Sequence, residues 1–220
     1  MPHLVAPSIL SADFSNLRSE VEMINKSTAD WIHVDVMDGV FVPNISFGIP
    51  VIKSFKKYAR KPLDVHLMII EPDKYIKAFK SAGADVLTVH YEACTHLHRT
   101  VNEIREAGML AGVAINPHTS VQVLLEILPE IDLVCMMSVN PGFAGQKFIA
   151  NTFKKIKELK SIISSKNLNL KIEVDGGVDF ENAEQLITAG ADVLVAGNTV
   201  FSSQNPTDAI SKLKSINAGV

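Results

Sequence analysis

Two residues with metal-binding side chains share one face of an apolar strand segment. In WIHVDVMDGVFVPN, residues 31–44, His33 and Asp35 are two positions apart. Side chains two apart on a strand point to the same side, which in a closed barrel can be the interior. Burial of an unpaired carboxylate is costly in free energy. The pattern therefore predicts that a partner or a metal ion compensates Asp35.

Two further residues of the same chemistry lie late in other strand segments. His66 is in LDVHLMI and Asp175 is in LKIEVDG. Imidazole nitrogens and carboxylate oxygens together suit a divalent first-row metal such as zinc, iron, manganese or cobalt. The sequence therefore predicts one metal ion bound by His33, Asp35, His66 and Asp175. The alternative is that each histidine is a hydrogen-bonded residue of the core or the rim.

Methionines occur at a similar spacing. Met37 is two residues beyond Asp35, Met68 is two beyond His66, and Met137 is late in the segment LVCMMSV. We expect all three methionines to line the same opening as the metal ligands, where an apolar collar would exclude water from a reactive intermediate. The alternative is adaptable core packing, which is the usual role of methionine.

Glycine-rich turns follow the last three strand segments. They are NPGFAGQ (residues 140–146), DGGV (175–178) and VAGNTVF (195–201). Glycine allows close backbone approach, and TIM-type barrels commonly bind phosphate in this region. The turns therefore predict a phosphate site, with tight-turn geometry alone as the alternative. None of the turns fits a dinucleotide or P-loop motif.

Eight short apolar segments, many of them rich in β-branched residues, alternate with segments of helical apolar spacing. The strand candidates are VAPSIL, WIHVDVM, LDVHLMI, VLTVH, AGVAIN, LVCMMSV, LKIEVDG and VLVAG, and clear helix candidates are FSNLRSEVEMIN, FIANTFKKIKELKSII and NAEQLITAG. This repetition predicts an α/β fold with a single (β/α)8 TIM barrel as one catalytic domain, residues 1–220. A doubly wound open sheet is the alternative. The barrel explains why polar residues lie late in the strands, because catalytic groups of such barrels occur there. These polar residues include Ser8, His90 and Asn116.

Composition excludes several classes of protein. The 220 residues carry a formal charge of -3 without a basic cluster, which argues against nucleic-acid binding. Cys94 and Cys135 form neither a CxxC pair nor a disulfide framework, which favours a reducing compartment. We find no signal-peptide pattern and no apolar run of membrane-spanning length, so we expect a cytoplasmic protein.

Five segments together resemble the ribulose-phosphate 3-epimerase family: APSILSADF, HVDVMDGVFVPN, DVHLMI, VNPGFAGQKFI and IEVDGGV. The resemblance extends from about Val5 to Phe201. It implies a TIM barrel of the ribulose-phosphate binding type with one divalent metal ion per subunit, zinc or iron, with manganese or cobalt as alternatives. It also implies a metal-dependent isomerase of the pentose phosphate pathway that interconverts D-ribulose 5-phosphate and D-xylulose 5-phosphate. Relatives are often dimers or hexamers, so we expect a homo-oligomer.

The resemblance also implies a role for each site residue. Asp35 and Asp175 would be both metal ligands and the two acid-base residues, which move the C3 proton through a metal-stabilised enediolate. Ser8 and His66 would contact the substrate, and the three methionines would cover the metal. The phosphate would lie against Gly142, Phe143, Ala144, Gly145, Gly176, Gly177, Gly197 and Asn198.

Ala144 departs from the glycine found in many members of the family. A left-handed backbone at that position would cost alanine roughly 1 kcal/mol or more, so we expect φ of Ala144 to be negative. Alanine there is also found in allulose-6-phosphate 3-epimerases, which leaves a hexulose phosphate as an alternative substrate. A non-catalytic metal- or sugar-phosphate-binding barrel is a further alternative. Sugar-phosphate decarboxylases of similar fold are disfavoured because no lysine follows HVD.

Overall fold

Eight parallel strands form one sheet in the computed structural model, which describes residues 3–218. All residues of the second and third strands are buried, as expected for strands covered on both faces. The sheet order is β1-β8-β7-β6-β5-β4-β3-β2. The strands are β1 Leu4–Pro7, β2 Ile32–Met37, β3 Leu63–Met68, β4 Val86–His90, β5 Leu110–Ile115, β6 Leu133–Met137, β7 Lys171–Asp175 and β8 Val193–Ala196.

The two ends of this sheet meet between β1 and β2. Ser8 and His33 form an isolated parallel bridge, and the Asp30 N–H donates to the Val5 carbonyl at 2.9 Å. The sheet is therefore a nearly closed barrel rather than an open sheet. The predicted (β/α)8 barrel is confirmed, and the alternative of a doubly wound sheet is wrong.

Helices surround the barrel, and the three predicted helical segments are confirmed. The last of them, α6, ends at Gly190, whose φ of 117° suits glycine at a helix C-terminus. The helices are α1 Leu17–Lys26, α2 Ile49–Lys56, α3 Ile76–Ala82, α4 Leu97–Glu106, α5 Asn151–Ser165, α6 Ala183–Ala189, α7 Asn198–Phe201 and α8 Pro206–Ser215.

The connection between β5 and β6 departs from a strict strand-helix repeat. Within residues 116–132, all of which the structure describes, it contains two short 3₁₀ segments, Val121–Leu124 and Leu128–Glu130, instead of an α-helix. Pro129 has no N–H for helical hydrogen bonding and disfavours a continuous helix through the second segment. The short helix α7 and α8 both follow β8, so eight helices are still present among the described residues.

Four aspartates brace the N-terminal ends of the strands. Each lies just before a strand and accepts the N–H of a residue near the start of a neighbouring strand, at 2.8–2.9 Å: Asp30 from Val5, Asp85 from Leu63, Asp132 from Ala111 and Asp192 from Ile172. Asp85 and Asp192 belong to the near-repeats GADVLTVH and GADVLVAG. This end of a TIM barrel serves stability, and the opposite end carries chemistry.

The barrel interior is apolar on one side and polar on the other. The apolar side chains come from β1, β5, β6 and β8 and include Ala6, Ala114, Leu133, Cys135, Val193 and Val195. Buried polar side chains come from β2, β3, β4 and β7. Residues 1–2 and 219–220 of the predicted domain lie outside the described residues. None of the described helices combines the length and the apolar character needed to cross a membrane.

Candidate active site and metal centre

The four predicted metal ligands lie together in the barrel, although His33 is near the start of its strand and only Asp175 ends one. His33 and Asp35 come from β2, His66 from β3, and Asp175 ends β7. Asp35 and His66 are paired in register, which places their side chains side by side. All four residues are buried, and both histidines are completely buried. The barrel therefore brings together two histidines and two carboxylates that are distant in sequence.

The donor atoms of these residues face one another. Asp35 Oδ1 is 3.3 Å from His33 Nε2 and 3.2 Å from His66 Nδ1. Asp175 Oδ2 is 3.4 Å from His66 Nδ1 and 3.8 Å from His33 Nε2. Ligand atoms about 2.0–2.2 Å from a tetrahedral ion are about 3.3–3.6 Å from each other. The spacing and the mixed nitrogen and oxygen donors therefore fit one divalent metal ion held by four protein ligands.

A buried carboxylate supports His33 from inside the barrel. Asp64 Oδ2 lies 2.6 Å from His33 Nδ1, and both side chains are completely buried. This separation is a strong hydrogen bond and is shorter than the spacing of two ligands on one ion. Because His33 Nδ1–H donates to Asp64, His33 Nε2 is left to face the site, which is the usual arrangement around metal-binding histidines.

Glu173 lies beside this pair and has no hydrogen-bond partner for either carboxylate oxygen among the described residues. Burial and the nearby Asp64 raise the pKa of Glu173 well above its ordinary value. The raised pKa favours the neutral carboxylic acid, which limits the negative charge under the site.

The cluster attracts positive charge. Burial lowers the pKa of His33, but Asp35 and Asp64 outweigh burial and raise it well above the ordinary value. The pKa of His66 is also raised, since its hydrogen bonds to Asp175 and Asp35 outweigh burial. Burial raises the pKa of Asp35, but the neighbouring His33 and His66 lower it further, so the carboxylate stays ionised. A divalent cation would replace protons on the histidines.

The stability of the metal-free protein is expected to fall as pH rises above 6.5, the pKa of an unfolded histidine. His33 binds a proton more tightly in the folded chain than in the unfolded chain. Its contribution to the free energy of unfolding is therefore complete below the unfolded pKa of 6.5, and it is lost as the pH rises through the higher pKa of the folded chain. The raised pKa of Glu173 likewise makes the free energy of unfolding fall as the pH rises above 4.5, the pKa of the unfolded side chain. Urea unfolding of chelator-treated protein at several pH values measures the effect. A free energy of unfolding that rises over this range would contradict the charge assignment.

Ser8 orients Asp35. Its hydroxyl donates to Asp35 Oδ2 at 2.6 Å, so Asp35 Oδ1 is the oxygen that faces the two histidines. Ser8, Asp35 and Asp175 line a cavity of about 390 Å³ above the cluster. This volume is in the range of small-molecule sites. His33 and His66 are not among the lining residues, so the predicted contact of His66 with substrate stays a prediction.

The predicted methionines and glycine turns line the same cavity. Met37 and Met68 pack together, while Met137 belongs to the apolar side of the barrel interior. The turn residues that line it are Gly142, Phe143, Ala144, Gly145, Gly176, Gly177, Gly197 and Asn198. Their contact with a phosphate stays a prediction.

Backbone geometry explains two of these turn positions. Gly177 has a φ of 63°, and an added Cβ would lie 3.0 Å from the Gln146 carbonyl oxygen, so glycine is required there. Ala144 is not in the left-handed region, because the non-glycine residues with positive φ among residues 3–218 are Glu71 and Asn167. The prediction for Ala144 is confirmed.

Sequence reasoning missed several residues of the site. Asp64 and Glu173 received no role, although each lies two positions before a predicted ligand, the same spacing as His33 and Asp35. The sequence identifies His90 only as a polar residue late in a strand, and it indicates no role for Glu92. The cavity is also lined by Asn140 and Lys147, a polar and a cationic side chain beside the glycine turns.

Comparisons with known proteins identify the family of this chain. Residues 4–201 match the model of the Ribulose-phosphate 3 epimerase family. The chain is 54% identical over 211 residues to a ribulose-phosphate 3-epimerase of Bacillus subtilis, covering 96% of this chain and 97% of that protein. It is 49% identical over 213 residues to one of Synechocystis, covering 96% and 93%.

A solved structure shares the fold at low identity. A crystal structure of KGPDC from Streptococcus mutans superposes with a TM-score of 0.73 at 16% identity, covering 98% of each chain. This similarity concerns the fold alone. The match to the family model and the identities to its members show that the chain belongs to the ribulose-phosphate 3-epimerase family and is an epimerase that acts on carbohydrates.

Proposed function

We propose that this protein interconverts D-ribulose 5-phosphate and D-xylulose 5-phosphate. The observation that carries the proposal is that Asp35 and Asp175 line one cavity with donor atoms within 4.8 Å of each other. The inversion of C3 removes a proton next to the C2 carbonyl and returns one to the opposite face. Two carboxylates at the floor of one cavity suit this reaction, since one acts as base while the other acts as acid.

Asp35 and Asp175 have different surroundings. Asp35 is held ionised by two histidines and receives the Ser8 hydroxyl. Asp175 ends β7 and is more exposed than Asp35. After one turnover the two side chains would have exchanged protonation states, so the reaction is reversible.

The proposed metal ligands are His33, Asp35, His66 and Asp175. A divalent ion such as zinc or iron, when bound, would act as a Lewis acid for negative charge that develops on substrate oxygen, an effect on the order of several kcal/mol. Asp64 would hold His33 in the orientation needed for that role. Manganese and cobalt suit the same donors.

The remaining cavity residues would hold and shield the substrate. The glycine turns would bind the phosphate through their backbone, with Lys147 nearby as a cation. Met37, Met68 and Met137 would form an apolar cover that excludes water from the enediolate. Ser8 would contact the substrate from the end of β1.

Proton NMR in D2O tests the reaction and the substrate together. We expect metal-loaded protein given D-ribulose 5-phosphate to form xylulose 5-phosphate with deuterium at C3. Turnover of D-allulose 6-phosphate alone would keep the chemistry and replace the pentulose with the hexulose. Exchange with neither substrate, in protein shown to contain metal, would favour a binding role.

Assembly and location stay predictions. We expect a homo-oligomer, either a dimer or a hexamer, which light scattering of the purified protein would measure. We also expect a reducing, cytoplasmic location. Cys94 and Cys135 are free thiols, which suits that location.

A further inference from the structure

The second ring nitrogen of His66 faces another histidine. His66 Nδ1 faces Asp35 and Asp175, while its Nε2 lies 2.9 Å from His90 Nε2. Both rings are completely buried and meet edge to edge, with centroids 5.0 Å apart and planes inclined by 29°, and Phe41 packs against the His90 ring at 4.6 Å. Two nitrogens at this distance share one proton, because two N–H groups cannot point at each other.

The hydrogen-bonded chain continues from His90 to a carboxylate near the rim. His90 Nδ1 is 3.2 Å from Glu92 Oε2. The other oxygen of Glu92 accepts the Asn116 N–H at 2.8 Å and the Thr119 hydroxyl. Glu92 is therefore held from the β5 end by two donors, and its free oxygen is directed at His90.

The direction of the proton donors follows from the metal site. If His66 Nδ1 binds a metal, it carries no proton, so His66 Nε2 carries the ring proton and must donate it. His90 Nε2 is the acceptor, and His90 then carries its own proton on Nδ1. Glu92 is the acceptor for that proton, so each donor in the chain has one acceptor.

We infer that His90 and Glu92 are positioning residues that set the tautomer of His66 and direct its Nδ1 lone pair at the metal centre. This inference rests on the metal site of the proposed function. The two histidine ligands are thus supported differently. His33 is held directly by the fully buried Asp64. His66 is instead held by the imidazole of His90, which in turn contacts the partly exposed carboxylate of Glu92.

A pair of substitutions at His90 tests the acceptor role. In His90→Gln, the side-chain oxygen can lie near the position of Nε2 and accept the hydrogen bond from His66. In His90→Leu, the side chain is similar in size but cannot accept a hydrogen bond. Loss of the support behind a ligand typically costs 10–100-fold in metal affinity, so we expect His90→Leu to bind zinc about 10–100-fold more weakly than wild type. We expect His90→Gln to recover most of this loss, and Glu92→Gln to weaken zinc binding less than His90→Leu.

Zinc affinity is measured by competition with a chromophoric chelator, together with thermal unfolding of each metal-free variant. His3 provides the matched control. It is a buried histidine at the other end of the barrel, where Nε2 contacts the Leu213 carbonyl. His3→Gln and His3→Leu should leave zinc affinity unchanged. Equal losses of zinc affinity in His90→Gln and His90→Leu would show that His90 acts only through packing and would overturn the inference.

Nitrogen-15 NMR of histidine-labelled, zinc-loaded protein reads the tautomers directly. We expect the proton on Nε2 of His66 and on Nδ1 of His90. A proton on Nε2 of His90 would overturn the inference while leaving the metal centre intact. Failure of wild-type protein to bind zinc, iron, manganese or cobalt would instead overturn the metal centre, and the inference with it.

Discussion

Replacement of Asp175 by asparagine is expected to lower the turnover number for epimerisation by about 10²–10⁴-fold, the usual contribution of a general acid or base. Asparagine has nearly the same shape but cannot take up or release the proton at C3. It would also weaken one of the four proposed metal ligands. Steady-state rates with D-ribulose 5-phosphate, at matched metal content, measure the loss.

Solvent exchange sharpens this test. If Asp35 and Asp175 act on opposite faces of the substrate, any exchange of the C3 proton that remains in Asp175→Asn should occur with one epimer only. Asp35→Asn should retain exchange with the other epimer. The double variant should lose exchange with both epimers, whereas its rate of epimerisation should be little lower than that of either single variant, because the two residues act as a unit in the full reaction.

Asp73→Asn is the matched control for these variants. Asp73 lies before α3 and outside the cavity lining, so its replacement should leave the rate unchanged. Normal epimerisation by Asp175→Asn with its metal in place would show that another group moves the proton.

Removal of the proposed metal ion is expected to lower turnover by about 10³-fold or more, since Lewis-acid stabilisation is worth several kcal/mol. The two histidines and two carboxylates form a buried cluster that could hold a metal ion. Dialysis against a chelator, followed by elemental analysis and rate measurement, tests the prediction. Addition of zinc, iron, manganese or cobalt should restore activity to different extents.

An increase in unfolding temperature with zinc provides an independent readout, because a ligand that binds only the folded chain stabilises it. A protein variant with His33→Ala should lose both the increase in unfolding temperature and the recovery of activity. Full activity in protein shown to be free of metal would rule out the proposed metal role.

Local sequence pattern determined the strands, the predicted helices and the residue types of the site. The alternation in IHVDVM places His33 and Asp35 on one face whatever the fold, because side chains alternate along a strand. The glycines in DGGV indicate a turn for the same local reason, and φ is positive at both Gly176 and Gly177. The β5–β6 connection was less predictable because helical spacing and a proline compete within a short segment.

The tertiary structure alone decided which polar residues touch. Asp64 and His33 are 31 residues apart, and His66 and His90 are 24 apart, yet both pairs are in hydrogen-bond contact. Those contacts depend on strand register and on barrel closure at Ser8 and His33, which bring side chains from separate strands into one interior. Local alternation shows that a side chain faces inwards, but only the closed barrel decides which side chain lies opposite.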